Sequence, residues 1–422
     1  MNDILESIPK IISRTFPIPG KYRSALPSKI AELSRLLTNK RGGRSLSYLN
    51  RPEYLSAYLN YYLPWNLYRL CLLLPSLEIK LNSGNVIVDL GSGPLTFVLA
   101  LWISRPDLRN IPLEFNCIDR SAQALEAGKK LFAAICEETR FNSPWKINLL
   151  REDFDIRKPF SFNRKKASLV CAVNLFNEAY EKLPHTNTAG LKHTAANAAR
   201  FMNSLALDDA FLLTVEPGIP QSGKFISFLR AAFMELNRMP LSPCAHTEIC
   251  PLSSASSAKK RWCHFAFENF NAPKELVRLS AAAKLPKERL VLSYLLTGPL
   301  AANASLEMRV ISDAFPLPGY LYGRYACSEK GLVLLTGEKH RIEKEVSGTL
   351  VKHAPLITTK MLENTDTDGD DTAERDAKSG ALIVHLPGSL AANAIPANAK
   401  KPRVQTPSGK KQRNKKSGKE KK

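Results

Sequence analysis

Long unbroken hydrophobic runs are missing from this chain. The most apolar stretch, Tyr61 to Leu77, is interrupted by Pro64, Asn66, Arg69 and Pro75, which excludes a bilayer-spanning helix and predicts a buried one. A signal-peptide pattern is also missing, because Asp3 and Glu6 precede any apolar run, and so is the Arg-rich, acid-poor composition of a mitochondrial presequence. A cytoplasmic location is the expectation. There the eight cysteines stay reduced, so metal binding or catalysis explains them better than disulfides do. No Cys-x-x-Cys pair occurs, so the spacing is not that of a zinc ribbon. Negative charge is scarce: 39 Asp and Glu face 60 Lys and Arg, for a net charge of +21.

That excess is shared between two parts of the chain. Lys400 to Lys422 holds 11 Lys/Arg and one Glu, a net +10, which leaves +11 of the +21 on the body. Because both parts are basic, a polyanionic partner is expected, with nucleic acid ahead of an anionic membrane surface. With 44% hydrophobic and 23% charged residues the body is globular in composition. Residues 1–80 read as helical, with helix-period apolar positions over Pro27 to Asn39 and Arg51 to Leu74. Between these lies a basic, glycine-containing loop with Lys40, Arg41 and Arg44.

From Val86 the pattern becomes α/β. Strands are predicted at Val86 to Leu90, Phe115 to Ile118, Lys146 to Leu150, Ala167 to Val173 and Ala210 to Val215, with helical stretches between them. Such alternation implies a Rossmann-like parallel sheet covered on both faces. Later strands are predicted at Arg289 to Leu296, Met308 to Ala314 and Gly331 to Leu335, and the ordered part is expected to close near Lys344. The resulting division is a helical region 1–80, a core 81–236, a cysteine-bearing insertion with the last strands of the sheet 237–345, and an acidic linker and basic tail 346–422 read as largely disordered. The string Asn364 to Gly369 imitates a calcium loop, but its twelfth position is Arg375 where a bidentate Glu is needed.

The chemistry-bearing motif of the core is Val86-Ile-Val-Asp89-Leu-Gly91-Ser-Gly93-Pro94. Glycines let the backbone pass close to a ligand, and the following helix aims its free N–H groups there. A dinucleotide site would want a third glycine where Thr96 stands. An acid ahead of the glycines suits S-adenosylmethionine better, since its carboxylate accepts from an amino-acid ammonium. Asp119 at the end of the second strand is placed for the ribose hydroxyls, and Asp153 after the third for the adenine amino group. Reacting groups are harder to name. Asn174-Leu-Phe-Asn177-Glu178 lacks the two prolines of an amino-methyltransferase turn, and Cys171 lies in an apolar strand where burial is its plain reading. Glu216-Pro-Gly218 fits either a pocket wall or a turn. No catalytic residue is assigned.

Four of the eight cysteines, 71, 117, 136 and 171, fall in apolar segments. Cys244, Cys250, Cys263 and Cys327 fall instead in segments rich in Pro, Ser and His. Such thiols in a reducing compartment read as ligands of zinc or of an iron–sulfur cluster, and spacing leaves the two equal. His246 and His264 are candidates for ligand, supporting donor or RNA contact.

Asp89 to Pro94, Glu216 to Gly218, Pro-Cys244-x-His, Cys250-Pro-Leu, Trp-Cys263-His-Phe and the late Cys327 together resemble a methyltransferase-like family of small-subunit ribosome assembly factors, mitochondrial in eukaryotes and also bacterial. The likeness spans roughly residues 30–340, a domain-scale match. It implies a seven-stranded methyltransferase sheet with a helical cap, a metal-bearing insertion after the fifth strand, and a [4Fe-4S] cluster on the four cysteines. It also implies ribosomal RNA and the small ribosomal subunit as partners. Leu95-Thr96 departs from the family, which tends to a small residue beside the glycine loop. Two functions follow: an S-adenosylmethionine-dependent RNA methyltransferase, or a catalytically inactive RNA-binding assembly factor with a structural zinc or iron–sulfur site. A radical enzyme is a poor third, because it needs a Cys-x-x-x-Cys-x-x-Cys triad. Oligomeric state is not fixed by the sequence.

Overall fold

The structure is a computed structural model and describes residues 1–38, 48–180, 183–184, 186–244, 246–253, 261–299, 308–351 and 374–386. The basic loop with Lys40, Arg41 and Arg44, the calcium-like string at 364–369 and the tail from Lys400 lie outside the described residues.

The N-terminal region is helical, as its periodicity requires: α1 (Asn2–Thr15), α2 (Gly20–Arg23), α3 (Leu26–Thr38), α4 (Pro52–Ala57) and α5 (Leu63–Leu73). A π-helical turn, Tyr58–Tyr62, joins α4 to α5. The α/β part then runs β1 (Val86–Leu90), α6 (Thr96–Ser104), β2 (Glu114–Asp119), α7 (Ala122–Glu138), β3 (Lys146–Arg151), β4 (Ala167–Val173), α8 (Asn177–Tyr180), α9 (Thr188–Leu205), β5 (Ala206–Pro217) and α10 (Pro220–Met234). It continues with β6 (Met239–Ser242), β7 (Phe265–Glu268), α11 (Lys274–Ala282) and β8 (Arg289–Gly298).

Strands β1 to β8 form one eight-stranded sheet in the order β3-β2-β1-β4-β5-β8-β6, with β7 also on β8. The first five strands are parallel, and β8 runs antiparallel to β5. This is the Rossmann-like order of class I S-adenosylmethionine methyltransferases. The expected count of seven strands is corrected to eight because the edge strand is broken in two. β6 pairs with Leu296 to Gly298 of β8, and β7 pairs with Arg289 to Leu292 of the same strand. The chain leaves the edge between them and carries Cys244, Cys250 and Cys263 out before returning. The cysteine segment is thus inserted within the edge strand rather than simply following the fifth strand.

Alternation along the strands splits the core between the two faces. Val86, Val88 and Leu90 point to the side covered by α9 and α10, and Ile87 points to the side covered by α1, α5, α6 and α7. Helix α6 is apolar all round, and every residue in it is buried. Trp102 on α6 is fully buried, with Phe132, Phe141 and Trp145 edge-on around it. Its truncation to Ala removes about 3–5 kcal/mol.

The later strands form a second, six-stranded sheet rather than completing the first. It comprises β9 (Met308–Val310), β10 (Phe315–Pro316), β11 (Tyr322–Ser328), β12 (Gly331–Gly337), β13 (Leu350–Val351) and β14 (Leu382–His385), with the short helix α12 (Lys339–Lys344) after β12. The order is β13-β9-β11-β12-β14, with β10 on β11. Expected strands at 308–314 and 331–335 therefore belong to a separate layer, and order does not end near Lys344. β14 pairs in parallel with β12 over Leu382 to His385. Four apolar-rich residues in a polar, low-complexity surrounding give too short a signal to read alone, and only pairing with β12 makes them a strand. Cys327 sits inside β11 and is buried, so it is not in a polar loop as expected.

Candidate functional site

The glycine loop follows β1 at the carboxyl end of the sheet. Gly91 and Gly93 have φ of 67° and 51°, the left-handed region that glycine enters without a Cβ penalty. Leu95, at the departure noted above, has φ 55° and caps α6 in the same region, a conformation strained for a branched side chain. Asp119, at the end of β2, accepts from the Gly93 N–H at 2.9 Å and from the Ser121 N–H at 2.8 Å. It therefore binds the glycine loop to the start of α7. Ser121 caps that helix and donates to Asn50 at 2.7 Å, which ties the N-terminal helical region to the loop. Burial raises the Asp119 carboxyl above its ordinary value.

These elements wall a cavity of about 680 Å³. Gly91, Gly93, Asp119 and Asp153 line it, and Tyr48, Leu49 and Tyr58 enter from the helical region. Burial pushes the Tyr58 phenol up to about 12. The π-turn beginning at Tyr58 places that ring, in keeping with the association of such turns with functional sites. Asp89 is not among the lining residues. It is 1% exposed, accepts from Cys171 Sγ at 3.4 Å, and leaves Oδ2 buried without a donor. Burial pushes its carboxyl up to about 7.

The segment after β4 closes over this end. A methyl group on Gly91 would come within 2.7 Å of Leu175, so Leu175 rests directly on the glycine loop. Glu216, from the Glu-Pro-Gly motif, explains why. Its fully buried carboxylate accepts from the Phe176 and Asn177 N–H groups at 2.9 and 3.0 Å and from the Tyr180 hydroxyl at 3.1 Å. It is a clamp for the 175–180 segment rather than a plain turn or a pocket wall. Burial pushes its pKa up to about 7. From below, Arg69 donates to Asn174 at 3.1 Å and to the Val291 carbonyl at 3.0 Å. Across the mouth, Arg120 and Glu178 pair at 2.9 Å. Sequence reasoning singled out the segment from Asn174 to Glu178 but gave Leu175 and Glu178 no role, and it missed Arg69 and Arg120 at this end, because nothing local in the chain marks which side chains will face the loop.

The cysteine site lies at the broken edge, where the second sheet docks. All eight cysteines are free thiols. Among the described residues no group of three or more His, Cys, Asp or Glu side chains is arranged to hold a metal ion. Cys244, Cys250, Cys263 and Cys327 are nevertheless near enough for the charge of each to act on the others. Burial pushes the thiols of Cys244, Cys263 and Cys327 up. His246 Nε2 lies 3.1 Å from Cys327 Sγ, and burial lowers its pKa to about 4. His264 stacks on Trp262 and contacts the Trp262 carbonyl at 3.0 Å, an engagement inside its own loop. The Cys263 carbonyl accepts from Ser293 of β8 at 2.7 Å, opposite the break in the edge.

Strand order, glycine loop and strand-end acids together define a protein of the class I methyltransferase fold. Within that class the chain belongs to the mitochondrial small ribosomal subunit Rsm22 family, whose sequence profile matches residues 84–315. The match takes in Cys244, Cys250 and Cys263, and Cys327 lies beyond it. No curated protein sequence matches the chain. Among solved structures it is similar to a methyltransferase from Geobacter sulfurreducens in complex with S-adenosyl-L-homocysteine, at 12% identity over 63% of this chain and 98% of that one, TM-score 0.30. It is also similar to geranyl diphosphate C-methyltransferase from Streptomyces coelicolor, at 10% identity over 64% and 98%, TM-score 0.31. A third is the CMeT domain of citrinin polyketide synthase, at 13% identity over 70% and 69%, TM-score 0.35.

Proposed function

We propose that this protein is a methyltransferase-like factor that binds S-adenosylmethionine in the 680 Å³ cavity and acts on, or assembles, the RNA of the small ribosomal subunit. The observation that carries the reading is the junction of Gly93, Asp119 and the start of α7 at the carboxyl end of the sheet, in a chain of the Rsm22 family. In this reading Asp119 and the glycine backbone hold the ribose side of the ligand, and Asp153 meets the adenine. The unsatisfied Oδ2 of Asp89 is the acceptor suited to an ammonium. Bound S-adenosylmethionine would supply an electrophilic methyl group.

Support for an RNA partner comes from the connection between β3 and β4. It leaves Arg157, Lys158, Arg164, Lys165 and Lys166 exposed, and Arg157 also lines the cavity. Phosphate contacts there and in the tail make binding fall steeply with salt. Deleting residues 400–422 should lower affinity and the salt slope while leaving any structural preference intact. A [4Fe-4S] cluster on Cys244, Cys250, Cys263 and Cys327 belongs to the same proposal, with zinc as the alternative. Its support is the chemistry of the residues, four thiols gathered at the broken edge. Such a cluster would supply folding energy and a one-electron redox couple. A cytoplasmic location is also carried as part of the proposal. The family description names mitochondria, and a fluorescent fusion tells the two apart.

One observation favours the second function, the inactive assembly factor: Leu175 rests on Gly91, where a ligand would approach the loop. The deciding variant combines Asp89→Ala and Asp119→Ala in a chain that folds and keeps its metal. Restored small-subunit maturation in cells carrying it makes methyl transfer dispensable. Failed maturation with loss of a specific RNA methyl mark establishes the enzyme. No association with small-subunit RNA at low salt removes both.

A further inference from the structure

Three polar side chains of the 680 Å³ cavity are fixed by contacts that point away from it. Asn174 follows β4 with φ 53°, a left-handed turn that Asn enters more readily than most residues. Its Oδ1 accepts from Arg69 at 3.1 Å. Asn197, on α9, is 7% exposed, and its Oδ1 accepts from Arg200 at 2.5 Å. Thr194, one turn earlier on α9, gives its hydroxyl proton to the Gly190 carbonyl at 2.9 Å. All three line the cavity.

A guanidinium only donates, so the amide atom it meets is the oxygen. The other end of each amide, Nδ2, is thereby turned from the arginine. Neither Nδ2 has a partner among the described residues, and each is open to the cavity that its residue lines. Thr194 Oγ1 has used its proton and keeps its lone pairs. The cavity therefore offers two donors, Asn174 Nδ2 and Asn197 Nδ2, and one acceptor, Thr194 Oγ1. Carboxylates of the same cavity already hold donors: Asp119 the Gly93 and Ser121 N–H groups, Asp155 the Arg157 guanidinium at 2.8 and 2.7 Å, Glu178 the Arg120 guanidinium. An amide as buried as Asn197 with its N–H bonds unmade is costly, and a ligand with acceptors offsets that cost.

A base taken out of its stack is read on its Watson–Crick edge. Uracil carries there a ring N–H between two carbonyls. Cytosine carries a carbonyl, a bare ring nitrogen and an amino group. Both pyrimidines thus offer two acceptors and one donor group, the complement of the two amides and the hydroxyl. Adenine offers one of each, and guanine one acceptor and two donors. We propose that Asn174, Thr194 and Asn197 recognise the Watson–Crick edge of an unstacked pyrimidine of the RNA. The proposal rests on the RNA reading above and names the class of base that the cavity takes. Arg69 and Arg200 are positioning residues, because they decide which end of each amide meets the base.

The test uses the full chain saturated with S-adenosyl-L-homocysteine, which keeps the probe out of the cofactor's place. The 5′-monophosphates of uridine, cytidine, adenosine and guanosine are titrated, and binding of small-subunit ribosomal RNA is measured alongside. Both pyrimidine nucleotides should bind about 10-fold tighter than the purines, the scale of one hydrogen bond made or left unmade. Asn197→Asp keeps the oxygen for Arg200 and turns the donor into an acceptor. It should remove the pyrimidine preference and bring guanosine monophosphate to the front, since one donor and two acceptors fit guanine. Asn174→Asp keeps the left-handed turn and the Arg69 contact and should act in the same direction. The ranking is the readout, because an added negative charge weakens all four nucleotides alike. Affinity for S-adenosyl-L-homocysteine should stay within about twofold in each variant. If the Asp variants fail to fold, Arg200→Met decides: the position is exposed, and its loss frees the Asn197 amide to turn over and should erase most of the preference. Equal binding of the four nucleotides by wild type, or an unchanged ranking in the folded variants, overturns the proposal while RNA binding stands. A large loss of S-adenosyl-L-homocysteine affinity in the Asp variants assigns the amides to the cofactor and overturns it too. If small-subunit RNA does not bind at low salt, the RNA reading falls and the proposal with it.

Discussion

The cavity at the carboxyl end of the sheet and the cysteine site at its edge are built in opposite ways. The cavity is made by consecutive turns of one repeating pattern: Gly91 and Gly93 after β1, Asp119 after β2, Asp153 after β3. Its buried acids, Asp89 and Glu216, are held near 7 by burial, with the Arg69 guanidinium buried beneath them. The cysteine site draws Cys244, Cys250 and Cys263 from a break in one sheet and Cys327 from the middle of a strand in another. Its buried unpaired charge is cationic, Arg230. The ligand proposed for the cavity would bring an ammonium and a sulfonium toward its acids.

The contrast breaks hardest at the cysteines. If the proposed metal is bound, replacing Cys263 by Ser should release it and melt the edge insertion, because metal binding would there be folding energy, roughly 10–16 kcal/mol in small zinc-dependent folds. Metal analysis and thermal unfolding measure this. S-adenosylmethionine affinity should stay within about twofold, as expected for independent sites. Loss of both together would show one cooperative unit and erase the comparison.

A smaller effect comes from the buried acids. The Asp89 carboxyl, raised from 3.8 to about 7 by burial, contributes most to stability below its unfolded value, and that contribution is lost as pH rises through 7. From pH 5 to pH 8 this group alone should lower stability by on the order of 2 kcal/mol. Asp89→Asn should flatten that slope in urea titrations. An unchanged slope in the variant would mean that Asp89 does not carry it. Bound S-adenosylmethionine, by placing an ammonium near Asp89, should flatten the slope in the wild type too.

Asp119→Ala removes the acceptor for the Gly93 and Ser121 N–H groups and should weaken S-adenosylmethionine about tenfold, near 1.4 kcal/mol. Isothermal titration reads this directly, and unchanged affinity takes Asp119 out of the site. Smallest is Arg120→Gln at the mouth. The pair with Glu178 is partly exposed, 26% and 29%, so its loss should cost at most about 1 kcal/mol of stability. A faster association rate for ligand would identify the pair as a gate, and an unchanged rate would leave it as a surface contact.

Much of the first region was legible. Period-two and period-3.6 patterns located β1 to β5 and the helices between them to within a few residues, because half-buried elements impose those periods on composition. The glycines and strand-end acids were legible because the loop needs positive φ and the acids follow apolar runs. Other readings of the sequence were changed by the structure: the late strands form a second sheet, and Cys327 lies within one of its strands. Both depend on neighbours distant in the chain, β11 beside β9 and β12.

By itself, then, the sequence determined a parallel α/β core, a glycine loop with acids at successive strand ends, and cysteines set apart from the apolar ones. Local backbone preference and side-chain period suffice for these. Only the tertiary structure decided that the edge strand is split around the cysteine segment, that Cys327 reaches it from another sheet, that Glu216 clamps Leu175 over Gly91, and that Arg230 is buried on the His246 carbonyl. Those are facts about which surfaces meet, and long-range packing and the cost of burying charge set them without any local signature in the chain.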